Sequence, residues 1–193
     1  MPRIERGSLL SLEAYARERN AFRARVIEHK KLRTVALGDH LTLIFEDELT
    51  IRYQIQEMLR IERIFEDDGI QGELEAYNPL VPDGTNLKAT MMIEYPDVDE
   101  RRRALAQLKG IEDRVWVQVG EGARVYAIAD EDLERETGEK TSAVHFLRFE
   151  LDAAARATLA GGAGLAIGVD HPQYQARVTA APAVRATLAA DLA

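Results

Sequence analysis

The sequence predicts an α+β fold: N-terminal helices followed by a mainly antiparallel sheet built from hairpins, in a single domain spanning 1–193. Three observations lead there. Apolar residues recur at helical spacing through most of the first 77 positions; short strand-like runs then arrive in pairs separated by turn residues; and the strict strand–helix alternation of a doubly wound fold is missing. No internal repeat or domain linker interrupts the chain.

The first helix is predicted over Leu9–Arg33, where Leu12, Tyr15, Phe22 and Val26 share one side at about 100° per residue and His29 continues it. "RTVAL" and "HLTLIFE", separated by "GDH", read as a hairpin. A second helix is expected over Glu48–Phe65 and a third over Asp67–Tyr77, closed by the breaker "NPLVPDGTN". "LKATMMIEY" is apolar on both faces and reads as a buried strand. "DVDERRRALAQLKG" starts acidic and stops at glycine, as a helix does.

"RVWVQVG" and "RVYAIAD" form the next predicted hairpin, and the acidic "DEDLERETGEK" a loop or short helix before the strand "SAVHFLRFEL". An alanine-rich helix, the strand pair "GLAIGV" and "YQARVTA" joined through "DHPQ", and a helix starting at Pro182 complete the chain. The glycine-rich "GGAGLAIG" lies after a helix and before a strand, the reverse of a dinucleotide fingerprint, so it reads as a tight turn.

Composition excludes several functions. With no cysteine, thiolate nucleophiles, disulfides, cysteine-ligated iron–sulfur clusters and thiolate zinc sites are ruled out, so any metal must use His, Asp or Glu. No apolar run approaches the roughly 20 residues that span a bilayer, and the N-terminus lacks a signal-peptide pattern, so the expected location is cytoplasmic with no membrane partner. Seven basic residues against two acidic ones lie between Arg17 and Arg33, yet the net charge of −8 weighs against nucleic acid as a partner.

Polar residues on apolar faces are the candidates for function. With Ile51 at zero on the helical wheel, Glu62 falls at about 20° and Gln54 at about 300°, both inside the sector of Ile55, Met58, Leu59, Ile61 and Phe65. A carboxylate there needs a proton, a cation or a metal. The period of two in "SAVHFLRFEL" places His145 on one largely apolar face and Arg148 on the other. Glu62 is therefore expected to meet Arg148 as a buried pair, or His145 as a proton-transfer group or half of a metal site.

Asp170 and His171, before Pro172, are expected at an exposed hairpin turn. A ligand-binding version of the site would assemble Gln54, Glu57, Glu62, His145, Arg148, Asp170 and His171. The sequence names no catalytic residue, no resident metal and no cofactor. Glu-x-x-His and His-Glu-x-x-His pairs, a Gly-x-Ser-x-Gly elbow and a Walker loop are all absent.

"LTLIFEDELTIRYQIQEMLRIERI", "YNPLVPDGTNLKATMMIEY", "KTSAVHFLRFEL" and "GVDHPQY", in this order, resemble a bacterial family catalogued as a domain of unknown function, over nearly the whole chain. Genes of that family commonly lie beside rubrerythrin and an iron–sulfur oxidoreductase. The resemblance therefore implies an accessory or binding role in peroxide or redox metabolism with those proteins as partners, and it implies no catalytic residues. The alternative is an enzyme or a metal- or ligand-binding protein with a buried Glu/His/Arg site.

Overall fold

The structure, a computed structural model, describes residues 3–129 and 140–192. The acidic stretch predicted as a loop or short helix falls almost wholly outside them. Among these residues, six helices and two four-stranded antiparallel sheets make up the α+β fold.

α1 (Leu12–Lys31) starts where Ser11 accepts from the Ala14 N–H, and it buries Tyr15 and Val26. β1 (Thr34–Leu37) and β2 (Leu41–Phe45) form the first hairpin, alternating buried and outward residues. Asp47 and Thr50 cap α2 (Glu48–Glu62) reciprocally: each backbone N–H donates to the other's side chain, at 3.0 and 2.9 Å. α2 stops three residues short of the predicted end, because Arg63 turns into the left-handed region at φ 55°. α3 (Asp67–Tyr77) matches its prediction.

β3 (Asn86–Ile93) is followed by α4 (Val98–Gln107), a short 3-10 turn at Ile111–Arg114, and the hairpin of β4 (Val115–Val119) with β5 (Arg124–Tyr126). β6 (Val144–Glu150), α5 (Ala153–Ala160), β7 (Leu165–His171), β8 (Tyr174–Thr179) and α6 (Pro182–Ala190) follow. The strand orders are β1-β2-β3-β6 and β5-β4-β7-β8, so β3 with β6 and β4 with β7 are long-range partnerships.

The two sheets touch at both edges. Ile128 and Arg148 exchange backbone hydrogen bonds of 2.8 and 2.9 Å, joining the end of the β5 segment to β6. At the opposite side, Tyr174 Oη donates to the Leu37 carbonyl (2.6 Å) and accepts from the His40 N–H (3.1 Å). Gly38 makes that closure possible: its φ is +70°, and a Cβ there would lie 2.6 Å from the Tyr174 oxygen.

Between the sheets, Leu43, Phe45, Leu147 and Phe149 from one meet Val117 and Ile167 from the other, with Leu105, Leu159 and Leu188 closing the core from the helices. A second apolar cluster joins Ile51, Ile55 and Leu59 of α2 to Leu74 of α3 and to Ile4, Leu80 and Val81, with Phe146 of β6 packed against it.

Candidate functional site

Glu57 is the predicted site residue with the densest environment. Its Oε1 accepts from Tyr15 Oη (2.6 Å) and Arg19 Nε (2.8 Å); its Oε2 accepts from Arg19 Nη2 (2.8 Å) and Arg60 Nη2 (3.2 Å). The forked Arg19 contact, opposed by burial and aided by Tyr15 and Arg60, holds the Glu57 carboxyl down at about 2. Burial and the adjacent carboxylate push the Tyr15 phenol up. The cluster ties α1 to α2. Tyr15 and Arg19 stand four apart on one face of α1, which is the sequence signal for it.

A depressed carboxyl contributes stability that is full above the ordinary carboxylate range and is lost as pH falls through the folded value. The Glu57 contribution is therefore lost between about pH 4.5 and about 2. Glu57→Gln is expected to cost about 1.5–3 kcal/mol at neutral pH and much less near pH 2. Denaturant unfolding of both proteins across that range measures it.

His145 is buried on the inner face of β6. Its Nε2 lies 2.8 Å from Thr141 Oγ1, 3.1 Å from the Ser142 carbonyl oxygen and 3.9 Å from Glu112 Oε2. Among the described residues, the carboxylate beside His145 is thus Glu112, not Glu62. Glu112 Oε2 is itself buried, with no hydrogen-bond partner among the described residues. Sequence reading missed Glu112 because a four-residue 3-10 turn carries no periodicity. A carboxylate beside a buried imidazole can pass or hold a proton.

The expected contact between Glu62 and Arg148 is not formed. Glu62 ends α2 and is exposed, as is Gln54. The wheel placed Glu62 on the right side of the helix, but the last turn runs past the core it would have faced. Arg148 instead sits on the outer face of β6, 2.5 Å from Glu150 Oε1.

His171, expected to be exposed, is buried at the end of β7. Its Nδ1 accepts from the Gln173 N–H (3.2 Å), so Nε2 carries the proton and donates to the Lys109 carbonyl (3.0 Å). Both histidines thereby border the turn at 109–112. Asp170 points the other way, its Oδ2 accepting from Tyr126 Oη (2.6 Å) and Arg124 Nη1 (3.2 Å). The seven residues do not converge on one pocket, and no group of three or more His, Asp or Glu among the described residues is arranged to hold a metal.

A different feature is concave. Leu9, Leu12, Leu59, Ile64, Phe65 and Ile70 line a groove of about 540 Å³ where the N-terminal segment crosses the end of α2. Phe65, one of its lining residues, is 69% exposed, and Ile61 in the last turn of α2 is 60% exposed. Arg6 pairs with Asp67 across its rim.

A family model described as "Protein of unknown function (DUF3501)" matches residues 3–192. The chain belongs to that family. A crystal structure described as a novel protein of unknown function from Burkholderia pseudomallei K96243 is 62% identical, with 100% of each chain covered and a TM-score of 0.95. No curated protein matches. Among the described residues of this DUF3501 protein, no helix is long and apolar enough to cross a membrane.

Proposed function

We propose that this DUF3501 protein is a cytoplasmic binding or accessory protein of peroxide or redox metabolism, which docks rubrerythrin or an iron–sulfur oxidoreductase through the groove at the end of α2. One observation carries the reading: Phe65, which lines the apolar groove, and Ile61 in the last turn of α2 are the two most exposed large apolar side chains among the described residues. An exposed apolar patch rimmed by charge is what a protein interface uses. Arg60, Arg63, Glu66 and Asp68 supply such a rim in sequence around it. The choice of partners follows from the gene neighbourhood that the family resemblance implies.

Calorimetric titration of the purified chain with purified rubrerythrin, and separately with the iron–sulfur oxidoreductase, tests it. Saturable binding to one of them is expected, and the double variant Ile61→Ser, Phe65→Ser should weaken it at least tenfold, about 1.4 kcal/mol or more. Because both side chains are exposed, stability should change by less than about 0.5 kcal/mol. Absence of binding to both proteins, or an unchanged affinity in the double variant, overturns the docking model.

The Glu112 and His145 pair supports a second reading, a ligand- or metal-binding site. Stoichiometric metal in freshly purified untagged protein, lost in His145→Gln, would favour it over docking alone.

A further inference from the structure

The outward face of the β5-β4-β7-β8 sheet is built unlike the rest of the surface. The register sets Tyr126, Trp116, Gly168 and Arg177 in one row across its four strands, and Arg124, Gln118, Ala166 and Thr179 in the next. Asp170 and Gln175 belong to the row on the other side. Trp116 lies flat on Gly168, where a Cβ would come within 2.3 Å of the indole. The Arg124 guanidinium carbon sits 4.2 Å from the ring centroid and that of Arg177 5.9 Å.

Three further facts bear on a ligand. Trp116 is 2% exposed, yet its Nε1–H has no hydrogen-bond partner among the described residues, and neither has Asp170 Oδ1, also buried on this face. An unsatisfied buried donor and an unsatisfied buried acceptor on one sheet face are costly to leave unpaired. Next, Arg177 has no ion-pair partner among the described residues, and Asp170 is the one carboxylate in these rows, in a chain of net charge −8. Finally, Tyr126 and Ile128 of the same segment are 41% and 38% exposed.

We propose that this face binds single-stranded nucleic acid. Arg177 and Arg124 meet the phosphates. The outer plane of the Arg124 guanidinium and the Tyr126 ring supply stacking surfaces for bases. Four strands span about 14 Å, room for two or three nucleotides. The positive charge is local, so binding is confined to this sheet face and is weak at physiological salt. This inference is independent of the groove at the end of α2.

Trp116 is the only tryptophan, so its fluorescence reads this face alone. Titration of the full chain with oligouridylate and oligodeoxythymidylate at low ionic strength should quench it saturably. The logarithm of the affinity should fall with the logarithm of salt at a slope of roughly −1 to −2, as expected for about two phosphates. Arg177→Gln, which disturbs no ion pair, should weaken binding about tenfold with an unchanged melting temperature. Three results would overturn the proposal: no quenching at low salt, equal quenching by inorganic polyphosphate, or an Arg177→Gln affinity equal to that of the parent.

Discussion

Arg33→Ala is expected to destabilise the protein by about 3–5 kcal/mol, the largest loss of any single polar substitution considered. Arg33 is 1% exposed at the point where α1 enters β1. Its Nε donates to the Phe45 carbonyl (2.8 Å) and its Nη2 to the Glu46 carbonyl (3.1 Å); Nη1 lies 3.3 Å from Asp47 Oδ2, and Nη2 also pairs with Asp191 just beyond α6. Asp47 caps α2 through its Oδ1, and His29 Nε2 is 2.5 Å from the same Oδ2 that Arg33 approaches.

One guanidinium therefore holds the ends of α1, β2, α2 and α6. Burial pushes the Asp191 carboxyl up despite the Arg33 charge that pulls it down. Alanine would leave that carboxylate and two carbonyls without their donor. Arg33→Lys keeps the charge but loses the fork, so it should recover only part of the loss. Chemical denaturation of the parent and both variants measures the series. Equal stability of parent and Arg33→Ala would refute the account.

Gly168→Val should cost about 1–3 kcal/mol or more and move the tryptophan emission to longer wavelength. The cause is space rather than backbone conformation. A Cβ at 168 would lie 2.3, 2.6 and 2.8 Å from Cζ2, Cε2 and Cη2 of Trp116, so the indole must leave the sheet and take the Arg124 stack with it. Emission and unfolding recorded on the same samples test both effects. A variant with parental emission and stability would show that the ring tolerates the methyl groups.

Local periodicity made most elements legible. α3 and the start of α6 lie where their sequence places them, and the alternation in "HFLRF" put His145, Leu147 and Phe149 together on one face of β6, which the structure shows to be the buried one. Tyr15 and Val26 were identifiable as the buried side of α1 for the same reason. The candidate site was much less legible. The helical wheel reports direction around an axis and says nothing of where along that axis the core ends, so Glu62 was misplaced while Glu57, outside the apolar sector, proved buried between two helices. Glu112 in its short turn and Arg33 between two elements have no periodic neighbours to mark them.

What the sequence determined by itself is thus most of the helices and strands and the α+β class, because these follow from spacing between residues close in the chain. The tertiary structure decided that the strands divide into two sheets, that His145 meets Glu112, and that Trp116 lies on Gly168 under two arginines. Those depend on β3 finding β6 and β4 finding β7 across long stretches of chain, where pairing is set by the shape and chemistry of surfaces that exist only once the chain has folded.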